Sequence, residues 1–265
     1  MDRISSRQNP VVKHFRDVAR GDVHDAMLLD GEHLIQEALK SGVPLLMVAA
    51  VDHLSHGEAA ARAQRAGVRI VVVTDAVLSA ISPVRTPSGI VAIASRPVSR
   101  LEELFARTPP LVVMLHDVQD PGNVGAIVRA AEACGATGLV CSEGTADPFG
   151  WKALRGAMGS TLRLPTATKQ FLPDAIGRAR AGGVRVFALT THAGTLLPDC
   201  DLRAPAAIVL GGEGAGLPPH ILEAADTRLT IPMQSPVESL NVAVAAALVL
   251  YEAGRQRTAV VSNQN

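Results

Sequence analysis

The chain has 265 residues, long enough for two modest domains or one large one. Hydrophobic residues make up 48% and charged residues 19%, as in ordinary globular proteins, and 25 basic residues balance 25 acidic ones. A zero formal charge argues against a protein that coats polyanions by bulk charge, so any RNA chemistry needs a local basic patch.

The N-terminus carries no apolar signal region. Over residues 1–20, Arg3, Arg7, Lys13, Arg16 and Arg20 outweigh Asp2 and Asp17. Asn9 and Pro10 read as the cap and first turn of a helix, either a solvated amphipathic helix or an RNA contact. The other lysines are Lys40, Lys152 and Lys169, so most cations are arginines. Arginine suits bidentate phosphate contacts, and GC-rich codon usage accounts for it equally well.

Strand-like apolar runs then follow at Leu45–Val51, Ile70–Val73, Ile90–Ala94, Leu111–Leu115, Leu139–Cys141, Val184–Leu189 and Ala206–Leu210. Helical patterns lie between several of them, at Gly31–Lys40, Glu58–Ala66, Val124–Cys134 and Pro173–Ala181. This alternation predicts α/β layers with mainly parallel strands. Two proline-bearing stretches, Arg96-Pro97 and Thr108-Pro109-Pro110, bracket a short helix-like segment and mark a boundary. The expected division is a domain over 1–97, a linker over 98–109 and a domain over 110–265.

Three later segments set polar or glycine residues into apolar surroundings, which a core does not require. In the first, Asn123-Val-Gly-Ala-Ile-Val-Arg129, Asn123 sits where a helix cap belongs, worth ~1 kcal/mol. Arg129 lies among Ile127, Val128, Ala130 and Ala131, with Gly125 one turn earlier on the same face. That glycine would let a ribose or phosphate approach the arginine; a surface pair with Glu132 is the plainer reading.

The second, Gly211-Gly-Glu213-Gly-Ala-Gly216-Leu217, follows a strand, and its glycines let backbone approach a ligand closely. It lacks the dinucleotide-binding spacing G-x-G-x-x-G, falls too late in the chain to open a doubly wound domain, and has no P-loop Lys-Ser/Thr. Glu213 is either a solvated loop acid or a group near a cofactor.

In the third, Ile231-Pro-Met-Gln-Ser-Pro-Val-Glu-Ser239-Leu240-Asn241, Ser235 to Glu238 fits a capping box with proline at the first helical position. The following run, Val242 to Leu250, is apolar on every face, which predicts a helix buried all round with Asn241 as a buried amide at its start. Such a helix suits a dimer interface or a tightly threaded terminus. The run is too short to span a bilayer. Cys134, Cys141 and Cys200 have no metal spacing or pairing pattern and read as buried thiols of a cytosolic protein, and no histidine cluster suggests a metal.

In order and wording the three segments resemble the signature motifs of the SpoU (TrmH-like) family of RNA ribose 2'-O-methyltransferases, in the SPOUT superfamily. Ser6-Arg-Gln-Asn-Pro10, Leu28-Leu-Asp-Gly31-Glu-His-Leu-Ile-Gln-Glu-Ala-Leu39 and Thr86-Pro-Ser-Gly89-Ile-Val-Ala92 look like the ribosomal-protein-like domain often found ahead of that catalytic domain. The resemblance implies an α/β fold with a trefoil-knotted, mainly parallel-sheet methyltransferase domain and a smaller N-terminal α/β RNA-binding domain. The knot rests on the resemblance alone, because chain connections are generally unknotted.

It further implies S-adenosyl-L-methionine as cofactor, no metal, a homodimer, and a structured RNA as substrate, ribosomal RNA ahead of tRNA. Arg129, Asn123, Glu213, Ser239 and Asn241 match the family's catalytic positions. Gly211, Ile231 and Leu240 match its cofactor contacts, with Thr190 as a further candidate. Whether Arg129 serves as a base or as a charged stabiliser stays open, since free guanidinium has a pKa above ~12. Two other readings are a non-catalytic RNA-binding or ribosome-assembly protein of the same fold, and a nucleotide-dependent oxidoreductase. The latter would need a glycine-rich loop after an early strand, which the sequence lacks.

Overall fold

The computed structural model describes residues 2–214 and 216–262. The chain forms two compact units, one of residues 1–97 with 149–163 and the other of residues 98–148 with 164–265.

The first unit begins with β1 (Asp2–Ile4), α1 (Pro10–Arg20), β2 (Ala26–Asp30), α2 (Glu32–Lys40), β3 (Leu45–Ala50), α3 (Glu58–Arg65), β4 (Arg69–Val73), α4 (Asp75–Ile81) and β5 (Ile90–Ser95). Its sheet has the order β1-β4-β3-β5-β2, with β5 antiparallel to both neighbours and the other pairs parallel. Side chains alternate across it. Leu28, Val71, Val73 and Ile93 pack with Phe15, Val77 and Leu78 on one face, while Met27, Leu29, Val48 and Ala92 pack with Leu34, Ile35 and Ala60 on the other.

α1 starts as the sequence predicts, with Asn9 accepting from Val11 N at 2.9 Å and Pro10 in the first turn. Much of its basic run is committed to packing. Arg7 and Arg16 donate to the carbonyls of Ala76 and Ala80 on α4, and Arg20 pairs with Asp17 and Asp22.

The second unit contains α5 (Leu101–Phe105), β6 (Leu111–His116), α6 (Pro121–Ala133) and β7 (Gly138–Ser142). After α7 (Trp151–Ala157), which belongs to the first unit, come β8 (Thr166–Gln170), α8 (Leu172–Ala181), β9 (Arg185–Leu189), β10 (Thr195–Leu196), β11 (Ala206–Gly211), α9 (Pro219–Ala224), β12 (Thr227–Thr230) and α10 (Val242–Ser262). Every strand pair in its sheet is parallel, in the order β10-β12-β9-β11-β6-β7-β8. Helices α5, α8 and α9 cover one face over Val112, Met114, Val186 and Val209, and α10 packs on α6 and β11.

Two segments depart from the boundaries read in the sequence. Residues 98–109, expected as a linker, carry α5, whose Leu101 and Leu104 are buried in the second core. Residues 149–163, expected within the C-terminal domain, join the first unit because Phe149, Leu154 and Leu162 are buried against its sheet. Neither is legible locally, since the same apolar side chains would suit either core.

All three cysteines are free thiols, and burial, with Asp147 nearby, raises the pKa of Cys141 well above its ordinary value. No helix among the described residues is long and apolar enough to cross a membrane.

Candidate active site

In the second unit the strands reverse direction of progress between β6 and β11: β7 and β8 follow on one side of β6, and β11, β9 and β12 lie on the other. Open parallel sheets bind ligands beyond the carboxyl ends of their strands near such a switch point. Here the carboxyl ends of β9, β11 and β12 lead into a pocket of about 490 Å³. Thr190, Gly211, Glu213 and Ile231 line it, and so do Ser239, Leu240 and Asn241. These residues, up to 51 positions apart in sequence, are therefore gathered as expected.

The loop after β11 folds back on itself, with an antiparallel bridge between Gly212 and Gly216. A Cβ on Gly211 would lie 2.4 Å from the carbonyl carbon of Gly216, so only glycine permits the fold-back. Gly214 and Gly216 take φ of +89° and +66°. Gly212 N donates to His116 O at 2.7 Å, tying this loop to the end of β6.

Asn123 does not cap α6. Asp120 holds that position, accepting from Asn123 N at 2.8 Å, with Pro121 in the first turn. The cap falls three residues before the position expected, at the residue followed directly by proline. The Asn123 amide is thereby free for other partners. Its Nδ2 donates to Glu213 Oε1, and its Oδ1 accepts from Asn241 Nδ2 at 3.1 Å. One side chain thus links all three sequence segments.

Asn241 is the true start of α10, accepting from Ala243 N at 2.9 Å and Val244 N at 3.3 Å. The capping box expected at Ser235 and Glu238 does not form, because this stretch is a turn and extended chain that ends six residues later. Asn241 is exposed rather than buried. The helix is also not buried on every side: Val244 is 50%, Leu248 43% and Tyr251 65% exposed, a stripe at helical spacing.

Arg129 is exposed on α6, does not line the pocket, and has no hydrogen bond or ion pair among the described residues. The pair with Glu132 is thus absent. Gly125 is buried, so the small residues on Arg129's open stripe are Gly122, Ala126 and Ala133 instead.

Composition and periodicity did not single out Met233, Leu222 or Ala245, which also line the pocket. Their only sequence signal is position beside the motifs. Among the described residues no group of His, Cys, Asp and Glu could hold a metal ion.

The fold and this pocket, with the family and relatives they match, define an RNA methyltransferase that uses S-adenosylmethionine. Residues 110–251 match the SpoU rRNA Methylase family, and residues 13–92 match the MRM3-like substrate binding domain. The chain belongs to the SpoU family. It is 32% identical over 254 residues to the 23S rRNA (guanosine(2553)-2'-O)-methyltransferase RlmP of Bacillus subtilis, covering 95% of this chain and 98% of that one. An AdoMet-bound rRNA methyltransferase from Sinorhizobium meliloti superposes with a TM-score of 0.86 at 30% identity, covering 96% of this chain and 97% of that one. The SpoU methyltransferase AviRb from Streptomyces viridochromogenes, in complex with AdoMet, gives 0.85 at 26% identity, with 95% and 99% covered.

The pocket fits that cofactor. Leu189, Leu217, Ile231 and Leu240 offer apolar walls for a purine and a thioether chain, and Thr190, Ser239 and Asn241 offer hydrogen-bonding groups. The Glu213 carboxylate at the rim suits a sulfonium charge, and the glycine loop leaves backbone groups open to the ligand.

Proposed function

We propose that this protein methylates a ribose 2'-OH in ribosomal RNA. The observation that carries this reading is the hydrogen-bonded bridge Glu213–Asn123–Asn241 at the rim of the cofactor pocket. It fixes one carboxylate and two amides where the three family segments meet. The named rRNA methyltransferases among the relatives favour ribosomal RNA over tRNA, and the substrate-binding match over residues 13–92 supplies a separate docking domain. The N-terminal unit then serves as the RNA-docking module, and the site of action is the cytoplasm. A trefoil knot in the C-terminal domain goes with the family membership.

The cofactor supplies a methyl group already activated on a sulfonium, so the protein's task is to position the nucleophile, which can contribute ~7–11 kcal/mol. Glu213, oriented by Asn123, marks the rim where methyl and ribose meet. Arg129 binds the RNA phosphate and stabilises the negative charge developing on the 2'-oxygen.

Since Arg129 does not line the pocket of its own chain, the reading requires a homodimer in which each Arg129 serves the other subunit's pocket. The exposed stripe Val244, Leu248 and Tyr251 on α10, packed beside α6, supplies the apolar surface for that contact. Gly122 and Ala126 let a second copy approach α6 closely.

The test follows transfer of labelled methyl to unmodified ribosomal RNA and tRNA. A 2'-O-methyl group blocks alkaline cleavage at its phosphodiester, so label should appear in alkali-resistant dinucleotides of ribosomal RNA. Arg129→Ala should remove transfer and leave the cofactor dissociation constant within about twofold. Label confined to bases, or full turnover by that variant, would refute the reading.

A further inference from the structure

A second cavity, of about 400 Å³, lies behind the glycine loop at the switch point itself. His116, Asp117 and Gln119 line it from the segment after β6, and Gly212, Glu213 and Pro218 from the segment after β11. Gly212, Glu213 and Gly216 border both cavities, so the two open on either side of one loop. Neither His116, Asp117 nor Gln119 has a role in the site described above.

The backbone here is shaped for the cavity. Asp117 has a φ of +53°, a conformation that Asp and Asn tolerate better than other side chains but that still costs energy. Backbone of the second loop comes so close that a Cβ on Gly212 would lie 2.0 Å from Asp117 O. Ser142 braces the aspartate twice: its Oγ accepts from Asp117 N at 3.1 Å and donates to Asp117 Oδ1 at 3.2 Å. His116 Nε2 stands 3.7 Å from Asp117 Oδ2, and its Nδ1 is enclosed without a partner among the described residues. The carboxylate is thus held in place and still has lone pairs for a ligand. Gln119 is exposed, and its amide has no partner among the described residues.

We infer that this cavity holds the base of the target nucleotide and selects guanine, an inference that rests on the ribose-methyltransferase reading. The wall presents a fixed carboxylate next to a free amide. Guanine alone among the four RNA bases has two adjacent donors, N1–H and N2–H, beside an acceptor, O6. The Asp117 carboxylate accepts from both donors, and the Gln119 amide donates to O6. Adenine and cytosine set a ring-nitrogen lone pair beside their amino group, and uracil flanks its single N–H with carbonyls. Each would bring an acceptor against the carboxylate, a repulsive contact in place of a hydrogen bond, so these bases should bind more weakly than guanine. Pro218 offers an apolar face for the purine ring. A base seated here leaves its ribose at the shared rim by Glu213, facing the cofactor pocket.

The test has two arms. In the first, the protein loaded with S-adenosylhomocysteine is titrated with GMP, IMP, AMP, CMP and UMP, with binding read by saturation-transfer NMR. GMP should bind most tightly, and IMP, lacking the 2-amino group, more weakly. Asp117→Asn keeps the left-handed backbone and the Ser142 contact but loses one acceptor. It should weaken GMP binding on the order of 10- to 100-fold with cofactor affinity and melting temperature unchanged. Equal binding of the five nucleotides, or an unchanged GMP affinity in Asp117→Asn, would overturn the inference. In the second arm, unmodified ribosomal RNA is methylated and digested to nucleosides. The product should be 2'-O-methylguanosine, and 2'-O-methyladenosine, -cytidine or -uridine would overturn the pocket assignment while sparing the transferase. GMP selectivity without any methyl transfer would support the pocket and count against the transferase reading instead.

Discussion

Replacing Asn241 by Asp separates two roles of one side chain. Its Oδ1 caps α10 through Ala243 N and Val244 N, and its Nδ2 donates to Asn123 Oδ1. Aspartate caps helices as well as asparagine does, so Asn241→Asp should hold stability within about 0.5 kcal/mol of the parent. The bridge cannot survive it. Glu213 is an acceptor, which obliges Asn123 to turn its Nδ2 that way and its Oδ1 toward Asn241. A carboxylate at position 241 then meets that oxygen with no proton between them. Flipping the Asn123 amide only moves the conflict to Glu213. Unflipped, the neutral bond to Asn123 gives way to an oxygen–oxygen repulsion. Flipped, Asn123 bonds the new carboxylate and Glu213 loses the charged bond that orients it. The fold therefore loses little, while the site loses an orienting contact worth about 1.5–3 kcal/mol in the transition state. At about 1.4 kcal/mol per tenfold, kcat/KM should fall roughly 10- to 100-fold. Initial rates of methyl transfer to ribosomal RNA, with melting curves of the same preparations, provide the check. Wild-type kcat/KM at wild-type stability would show that the bridge does not matter to the chemistry. An equal loss in both would assign Asn241 to capping alone.

Gly211→Ala should weaken cofactor binding by at least tenfold in calorimetry, because the new methyl collides with the backbone of Gly216 and Leu217 and no side chain can move aside; an unchanged dissociation constant would contradict the fold-back. Arg257 is half-buried, and its guanidinium, whose pKa burial lowers, reaches the carbonyls of Pro109, Pro110, Leu202 and Ala204. Arg257→Leu should therefore cost about 3 kcal/mol in urea unfolding by stranding those carbonyls, and a loss under 1 kcal/mol would remove this clamp from the account. Glu252 is held at a pKa of about 2 by hydrogen bonds from Arg255 and then Gln256, against an ordinary 4.5. Its folded pKa lies below its unfolded one, so its stabilisation is complete above pH 4.5 and disappears as pH falls toward 2. The effect should be about 1 kcal/mol after solvent screening, and Glu252→Gln should flatten that part of the stability–pH curve.

Elements with strong local signals were legible. Runs such as Leu111–Leu115 and Ala206–Leu210 became β6 and β11 within a residue, since a strand buried on both faces must be continuously apolar. Asn9-Pro10 gave a helix start because capping is decided within three residues. β12 and β8 escaped notice, as Thr227–Thr230 and Thr166–Gln170 carry too few apolar residues to show a period. The cap of α6 and the start of α10 fall at Asp120 and Asn241 rather than at Asn123 and Ser235, because each stretch holds more than one side chain able to cap.

The sequence by itself determined which residues stand out as candidates, because polar groups and glycines set in apolar runs are visible without coordinates. Only the tertiary structure decided what they touch. Asn123 lies 90 residues from Glu213 and 118 from Asn241, and their meeting depends on the parallel register of β6 against β11 and on the loop that returns to α10. It likewise decided that Arg129 stays outside its own chain's pocket, that one face of α10 is left open, and that a cavity forms around Asp117. Local propensity acts over a few residues, whereas these outcomes follow from how whole strands and helices pack, which no short stretch of sequence encodes.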